Sequence, residues 1–256
     1  MQNPSQEHLI IEKNDSYGRI RVVEQGAYRY LEFGDEVEQS CYLKKHPTWL
    51  EYDYTRAMLL GALNAQQPAS ALFLGLGAGS LTNACLSALP LEKAQVVELR
   101  QLVLELAQEY MDFTPDQRVE IIIGDALEQL PKLTNTDLIF MDLYTDTGPS
   151  AAHLAKRFLQ SCQAKLNEGG WLIINQWGLP NGEPLGIELF NEVFAGHFWQ
   201  CPLQEGNVVL WVPARQTQHL DLKALSDKIE YIQAELGFTL DYLLEQVISP
   251  KNQPSK

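Results

Sequence analysis

The sequence predicts an α/β protein: a mostly parallel sheet with an antiparallel closing strand, preceded by a small antiparallel β module. Three observations predict it. From Ala71 onward, short apolar runs alternate with helix-like stretches, the pattern of parallel strands joined by helical crossovers. Before that point, apolar and polar residues alternate in short runs punctuated by glycine, as in hairpins. Near the end, His197 to Pro202 and Asn207 to Pro213 are separated only by Leu203-Gln204-Glu205-Gly206, a connection short enough for an antiparallel pair.

The elements follow in order. Between Leu9 and Tyr42, the runs Arg19-Ile20-Arg21-Val22-Val23 and Tyr28-Arg29-Tyr30-Leu31-Glu32-Phe33 alternate, with Gly18, Gly26 and Gly34 between them. Tyr52 to Leu63 has helical periodicity and stops before Gln66-Gln67-Pro68. Strands are expected at Ala71 to Leu74, Ala94 to Glu98, Val119 to Ile123 and Asp137 to Met141. Helices are expected at Leu81 to Leu89, Gln101 to Tyr110, Ala126 to Leu130, Ala151 to Leu166 and Glu183 to Ala195, with Gly169-Gly170 turning into a strand at Trp171 to Asn175. Leu220 to Leu236 and Thr239 to Val247 are amphipathic and suit core-covering helices. The expected organisation is a β module over residues 1–50, a Rossmann-like α/β domain over 51–248 and a polar tail over 249–256.

The most informative stretch is Ala71-Leu72-Phe73-Leu74-Gly75-Leu76-Gly77-Ala78-Gly79-Ser80, where an apolar run breaks into three alternate glycines before a helix. Glycine at Gly75, Gly77 and Gly79 permits a tight turn and close backbone approach to a ligand, and the following helix start offers unpaired N–H groups. Three later strands end in acids: Glu98, 23 positions after Gly75, then Asp125 in Gly124-Asp125-Ala126, then Asp142. In an open parallel sheet these strand ends line the ligand crevice, so the three carboxylates are expected to converge on a ligand at the glycine turn. Glu98 is a candidate acceptor for ribose hydroxyls. Asp125, just ahead of a helix, also suits an N-cap.

Charge and cysteine usage bound the function. With 33 acidic against 19 basic residues and a formal charge of −14, the chain does not suit tracking of nucleic-acid phosphates, and a cationic small substrate is more compatible. Cys41, Cys85, Cys162 and Cys201 form no C-x-x-C pair, which suggests neither a disulfide framework nor a zinc ribbon and suits a reducing cytoplasm. The histidines His8, His46, His153, His197 and His219 lack i, i+4 spacing, so no metal site is expected. No run approaches the ~20 apolar residues that span a bilayer, and the N-terminal residues lack a signal-peptide pattern, so no membrane partner is expected.

These residues carry a family resemblance. From about Tyr17 to Val212 the chain resembles the spermidine synthase-like (polyamine aminopropyltransferase) family, whose catalytic domain has the Rossmann-like fold of class I S-adenosylmethionine-dependent methyltransferases. The resemblance rests on the N-terminal hairpins with Gln39-Ser40, the Gly75 to Gly79 turn, Val96-Val97-Glu98, Gly124-Asp125-Ala126, and Asp142 followed by Gly148-Pro149-Ser150. It implies that Gln39 reaches over the nucleoside, Glu98 holds the ribose hydroxyls, Asp125 with Ala126 recognises the adenine edge, and Asp142 faces an amine substrate. It further implies S-adenosylmethionine or decarboxylated S-adenosylmethionine as donor, a small amine or other small acceptor as partner, no metal, and homodimerisation left open.

Two positions depart from the family pattern. Ala78 stands where aminopropyltransferases carry an Asp inside the glycine turn that holds the donor's free amine. Thr145 stands where a second gate-loop Asp is expected, with Asp146 one step later. Losing the first carboxylate weakens the preference for decarboxylated donor over S-adenosylmethionine, because the repulsion of the donor's own carboxylate goes with it. For aminopropyl transfer, Asp142 is the expected proton acceptor, assisted by Asp146, with Tyr144 between them as a wall, a hydroxyl or a packing ring. Trp177 is either a wall of the same pocket or core, with core the favoured reading. Three alternatives stay open: methyl transfer to a small molecule, a nicotinamide dehydrogenase for which Ser80 takes the third-glycine place, and a catalytically inactive nucleoside-binding protein.

Overall fold

The computed structural model describes residues 7–34, 37–145 and 148–250, without the side chains of Val37, Glu38, Gln39 and Leu222. The alternating N-terminal runs form β1 (His8–Asp15), β2 (Gly18–Gln25), β3 (Tyr28–Phe33) and β4 (Val37–Leu43), an antiparallel meander in the order β1-β2-β3-β4. Then α1 (Asp53–Ala62) leads into the alternating region: β5 (Ser70–Leu74), α2 (Ser80–Ala88), β6 (Lys93–Glu98), α3 (Gln101–Tyr110), β7 (Val119–Ile123) and α4 (Ala126–Gln129), which continues into a 3₁₀ turn at Leu130–Lys132. After it come β8 (Thr136–Met141), the short β9 (Tyr144–Thr145) and β10 (Gly148–Pro149), α5 (Lys156–Ala164), β11 (Leu166–Trp177) and α6 (Ile187–Phe194). The chain finishes with β12 (Trp199–Pro202), β13 (Asn207–Pro213), α7 (Leu222–Leu236) and α8 (Asp241–Leu244).

The large sheet has the order β12-β13-β11-β8-β5-β6-β7. Strands β11, β8, β5, β6 and β7 are parallel, and β13 runs antiparallel to both β11 and β12. The chain moves outward from β5 to β7 and returns on the other side of β5, so the order reverses between β5 and β8. A crevice opens beyond the carboxyl ends of strands at such a reversal.

Strand alternation sorts the core onto two faces. Phe73 and Phe140 stack on one face, centroids 4.6 Å apart, beneath Met58, Leu59 and Leu60 of α1 and Ile229 of α7. Leu72, Leu74 and Ile139 face the other way, against Phe158 and Leu159 of α5 and Phe190 of α6. Side chains covered on both faces explain why these strands read as continuous apolar runs. A third cluster joins Ile20, Val22, Leu31 and Tyr42 of the meander to Val103 and Leu106 of α3, and Ala78 of the glycine turn belongs to it.

Three expected elements start four or five residues from their expected positions. α5 begins at Lys156 rather than Ala151 because Ser150 to Ala155 form turns, in which the N–H groups of His153 and Leu154 both donate to the Ser150 carbonyl. β11 begins at Leu166, so Gly169-Gly170 lie within it; the strand pairs at Leu166–Thr136 and resumes at Trp171–Leu138 after a register shift. α6 begins at Ile187 because the preceding chain is held extended by a Gly178–Pro184 bridge and a Leu185 N–H to Trp177 carbonyl bond.

Candidate active site

Three strand ends converge because each hands its backbone pairing to the next. The Asp142 N–H donates to the Leu74 carbonyl (3.0 Å), the Gly75 N–H to Val97 (2.9 Å) and the Gly124 N–H to Glu98 (2.9 Å). Beyond these ends lies a cavity of about 350 Å³, within the range of small-molecule sites. The glycine turn forms its floor with φ of +98° at Gly75, +56° at Gly77 and +80° at Gly79, values that side chains rarely adopt. A Cβ on Gly75 would overlap the Asp142 carbonyl oxygen, so the turn and β8 touch through backbone. From β4, Ser40 Oγ accepts from the Ala78 N–H (2.8 Å), and Ser80 Oγ donates to the Cys41 carbonyl (3.0 Å), which lays the meander over the turn.

Glu98 is buried, and both oxygens face backbone donors: Oε2 accepts from Leu76 N–H (3.0 Å) and Oε1 from Arg100 N–H (2.9 Å). Burial pushes its carboxyl above the usual range, and these N–H groups oppose the rise. Arg100 cannot turn to pair with it, because its guanidinium grips Asp15 of β1 through two bonds (3.0 and 2.8 Å) and also donates to Gly18. Asp125 caps α4, with Oδ1 accepting from Leu127 N–H (2.8 Å). The same oxygen lies 3.4 Å from His153 Nε2, while His153 Nδ1 meets Ser150 Oγ at 2.7 Å. Burial lowers the proton affinity of His153, and Asp125 opposes this.

At the other end of the cavity, burial pushes the Asp142 carboxyl up to about 6, against a bond from Asn175 Nδ2 (2.9 Å) that favours ionisation. Asn175 Oδ1 in turn accepts from Asn207 Nδ2 (2.8 Å), which also approaches the Tyr144 hydroxyl (3.5 Å). Tyr144 packs near Trp177, and Tyr54 completes the wall, its phenol pushed upward by burial with Asp142, Tyr144 and Glu205 adding to the effect. Glu205, on the β12–β13 turn, accepts from the N–H groups of Asp53 (3.2 Å) and Tyr54, fixing the start of α1 that carries this ring.

Gly75, Gly77, Gly79, Glu98, Asp125 and Ala126 therefore line one cavity together with Asp142 and Tyr144. Asp146 and the Gln39 side chain lie outside the described residues. Trp177, expected in the core, is 43 % exposed and lines the cavity, its ring against Gly148, where a Cβ would overlap it. Sequence reasoning missed Asn175, Asn207 and Tyr54. Asn175 lies two residues from the end of β11, as Glu98 ends β6 and Asp142 follows β8, and Asn207 begins an antiparallel strand, which brings it to the same edge; for Tyr54, on a preceding helix, there was no comparable signal. Among the described residues no cluster of His, Cys, Asp and Glu is set to hold a metal, and no helix is long and apolar enough to cross a membrane.

Comparison with known proteins bears on this geometry. Residues 52–185 match the model of the spermine/spermidine synthase domain. The chain is 24 % identical over 246 residues to the polyamine aminopropyltransferase of Vibrio vulnificus (strain CMCP6), an alignment that covers 90 % of this chain and 82 % of that protein. A crystal structure of spermidine synthase in complex with the transition state analogue AdoDATO superposes with a TM-score of 0.68 at 18 % identity, over 90 % of this chain and 88 % of that one. Human methyltransferase-like protein 13, solved in complex with SAH, superposes with a TM-score of 0.63 at 22 % identity, over 74 % of this chain and 94 % of that one. The two superpositions show the class I methyltransferase-like fold. The domain match takes in more than half of the 256 residues, and the chain belongs to the spermine/spermidine synthase family.

Proposed function

We propose that the cavity binds an adenosine-type sulfonium donor at the glycine turn and transfers a group from it to a small amine at Asp142. The observation that carries this reading is one cavity holding two carboxylates in different environments, Glu98 buried and Asp142 half-buried. Glu98, held by two backbone N–H groups against the turn, retains lone pairs for ribose hydroxyls. Asp142 has only the Asn175 amide as a hydrogen-bond donor among the described side chains, and its raised proton affinity suits it to take a proton near neutral pH. The donor supplies an electrophilic carbon beside a positively charged sulfur. The acceptor's nitrogen lone pair forms the new N–C bond, the C–S bond breaks with its electrons passing to sulfur, and the nitrogen's proton goes to the Asp142 carboxylate. Asp125 with Ala126 faces the adenine edge, Gln39 and Asp146 serve the nucleoside and the amine, and Tyr54, Tyr144 and Trp177 wall the acceptor end and limit water there.

Ala78 governs which group is transferred. It is buried among Ile20, Val22 and Tyr42, so no carboxylate stands in the glycine turn to hold a donor's free amine. Aminopropyl transfer is therefore expected to be slow, with S-adenosylmethionine or methylthioadenosine bound at least as well as decarboxylated donor. This same observation favours methyl transfer as the second reading, and methyltransferase-like protein 13 bound to SAH shares the fold. A thermal-shift series with decarboxylated S-adenosylmethionine, S-adenosylmethionine, methylthioadenosine and NAD tests donor binding. Adenosine sulfur compounds are expected to raise Tm and NAD to leave it unchanged; stabilisation by NAD alone, or by none of the four, overturns the reading. Product analysis with putrescine then separates aminopropyl from methyl transfer.

A further inference from the structure

We propose that Asn207 and Asn175 form a directional amide relay that aims Asp142 as a proton acceptor, making Asn207, on the antiparallel closing strand, a positioning residue for the acceptor site. It rests on the reading of Asp142 given above. The direction follows from hydrogen-bond inventory. An asparagine amide has one acceptor end and one donor end. Asn207 Nδ2 donates to Asn175 Oδ1 at 2.8 Å, which occupies the acceptor end of Asn175 and turns its Nδ2 toward Asp142 Oδ1 at 2.9 Å. An ionised oxygen accepts more strongly there than a neutral one, so the relay favours the carboxylate that takes the proton. The second hydrogen of Asn207 Nδ2 faces the Tyr144 hydroxyl at 3.5 Å, leaving that hydroxyl's own proton for the cavity.

Sheet architecture supplies the spacing. Ile174 pairs with Met141, so the next step of the register sets Asn175 beside Asp142. Trp177 pairs with Asn207 across the β11–β13 ladder, which makes Asn207 a diagonal neighbour of Asn175 on the same face. A parallel strand at this position would bring its other end to the cavity. The antiparallel sense of β13 is what delivers the first residue of that strand to the edge where the parallel strands end.

The groups facing Asp142 leave its titration legible. Tyr54 of α1 and Tyr144 of β9 bear on it electrostatically, and both phenols stay protonated well above neutral pH. Asn175 and Asn207 do not titrate. Glu205 faces Tyr54 and the start of α1, and Asp146 lies outside the described residues.

The experiment follows the Asp142 side-chain carboxyl carbon by NMR in aspartate-labelled protein across pH 4–9, its resonance assigned by its loss in Asp142→Asn. Asn207→Leu, nearly isosteric and without a donor, frees the Asn175 amide to turn. It is expected to move the Asp142 midpoint upward by about one pH unit, a tenfold change in proton affinity. Asn175→Val is expected to move it upward as far or further. In the Asn175→Val background, Asn207→Leu is expected to add nothing, since Asn207 acts only through Asn175. Should Asn207→Leu not fold, Asn207→Thr, whose hydroxyl is too short to reach Asn175 and which suits a strand, takes its place. An unmoved midpoint in either Asn207 variant, or an equal movement with and without Asn175, overturns the relay. Because titration is read without turnover, a protein that transfers no group but shows the expected shifts would sink the role given to Asp142 and leave the relay standing.

Discussion

In the proposed function, Glu98 and Ala78 set, residue by residue, what the cavity holds. Removing the Glu98 carboxylate by Glu98→Ala takes away a charge-assisted bond to the ribose, about 1.5–3 kcal/mol, or roughly 10- to 150-fold in affinity for any adenosine ligand. Calorimetry with methylthioadenosine checks it, and unchanged affinity in a folded variant would remove Glu98 from the site. Ala78→Asp restores the missing amine anchor. It is expected to improve binding of decarboxylated S-adenosylmethionine and weaken that of S-adenosylmethionine, by about 1 kcal/mol each. Ala78→Asn, similar in size and uncharged, separates charge from the crowding a larger side chain brings to the cluster with Ile20 and Tyr42. If both variants change the two donors alike, the anchor argument fails. At this scale the sequence was legible where chemistry clusters beside glycine, as at Gly75 to Gly79 and Glu98. It was opaque where function depends on distant packing: Tyr54 reaches the cavity only because Glu205, 151 positions later, caps its helix.

Elements were most legible where periodicity and punctuation agree. The expected bounds of α3 and β7 match the observed Gln101–Tyr110 and Val119–Ile123, because both carry complete apolar patterns between polar breaks. The start of α5 was not, since the Ser150 hydroxyl and His153 ring bond each other at 2.7 Å and hold a turn that helical periodicity alone does not reveal. Nor could periodicity locate the junction between the meander and the α/β sheet, which one buried arginine helps to tie. Arg100, 7 % exposed, binds Asp15 in a two-bond grip and stacks 4.8 Å over Phe33. Arg100→Met leaves the Asp15 carboxylate without its partner and is expected to destabilise the protein by roughly 2–4 kcal/mol, less when combined with Asp15→Asn than the two single effects added. Hydrogen exchange should rise first in β1 and β2. Uniform acceleration across both sheets would show that the arginine does not act as a local tie.

Across the whole molecule, a carboxylate held partly desolvated, as the proposed role of Asp142 requires, works against the fold. Burial raises the Asp142 carboxyl from its ordinary 3.8 to about 6, so between those values the folded chain binds more protons than the unfolded one. Stability from this group therefore falls as pH rises from about 4 to about 6, and stays at the lower level above that. Asp142→Asn removes the ionisation while its amide can still present an oxygen to Asn175. The variant is expected to gain about 1–3 kcal/mol at pH 7, or roughly 2–10 °C in Tm. The gain should shrink to nearly nothing by pH 4, where both proteins are neutral at this position. The same substitution should slow group transfer by roughly 10²–10⁴ and abolish the fall in rate expected of the wild type below about pH 6. Paired pH series of thermal unfolding and turnover check both halves. A variant that loses activity without gaining stability would mean that Asp142 is better solvated than its burial implies. A variant that gains stability and keeps its rate would mean that the proton leaves the amine by another route.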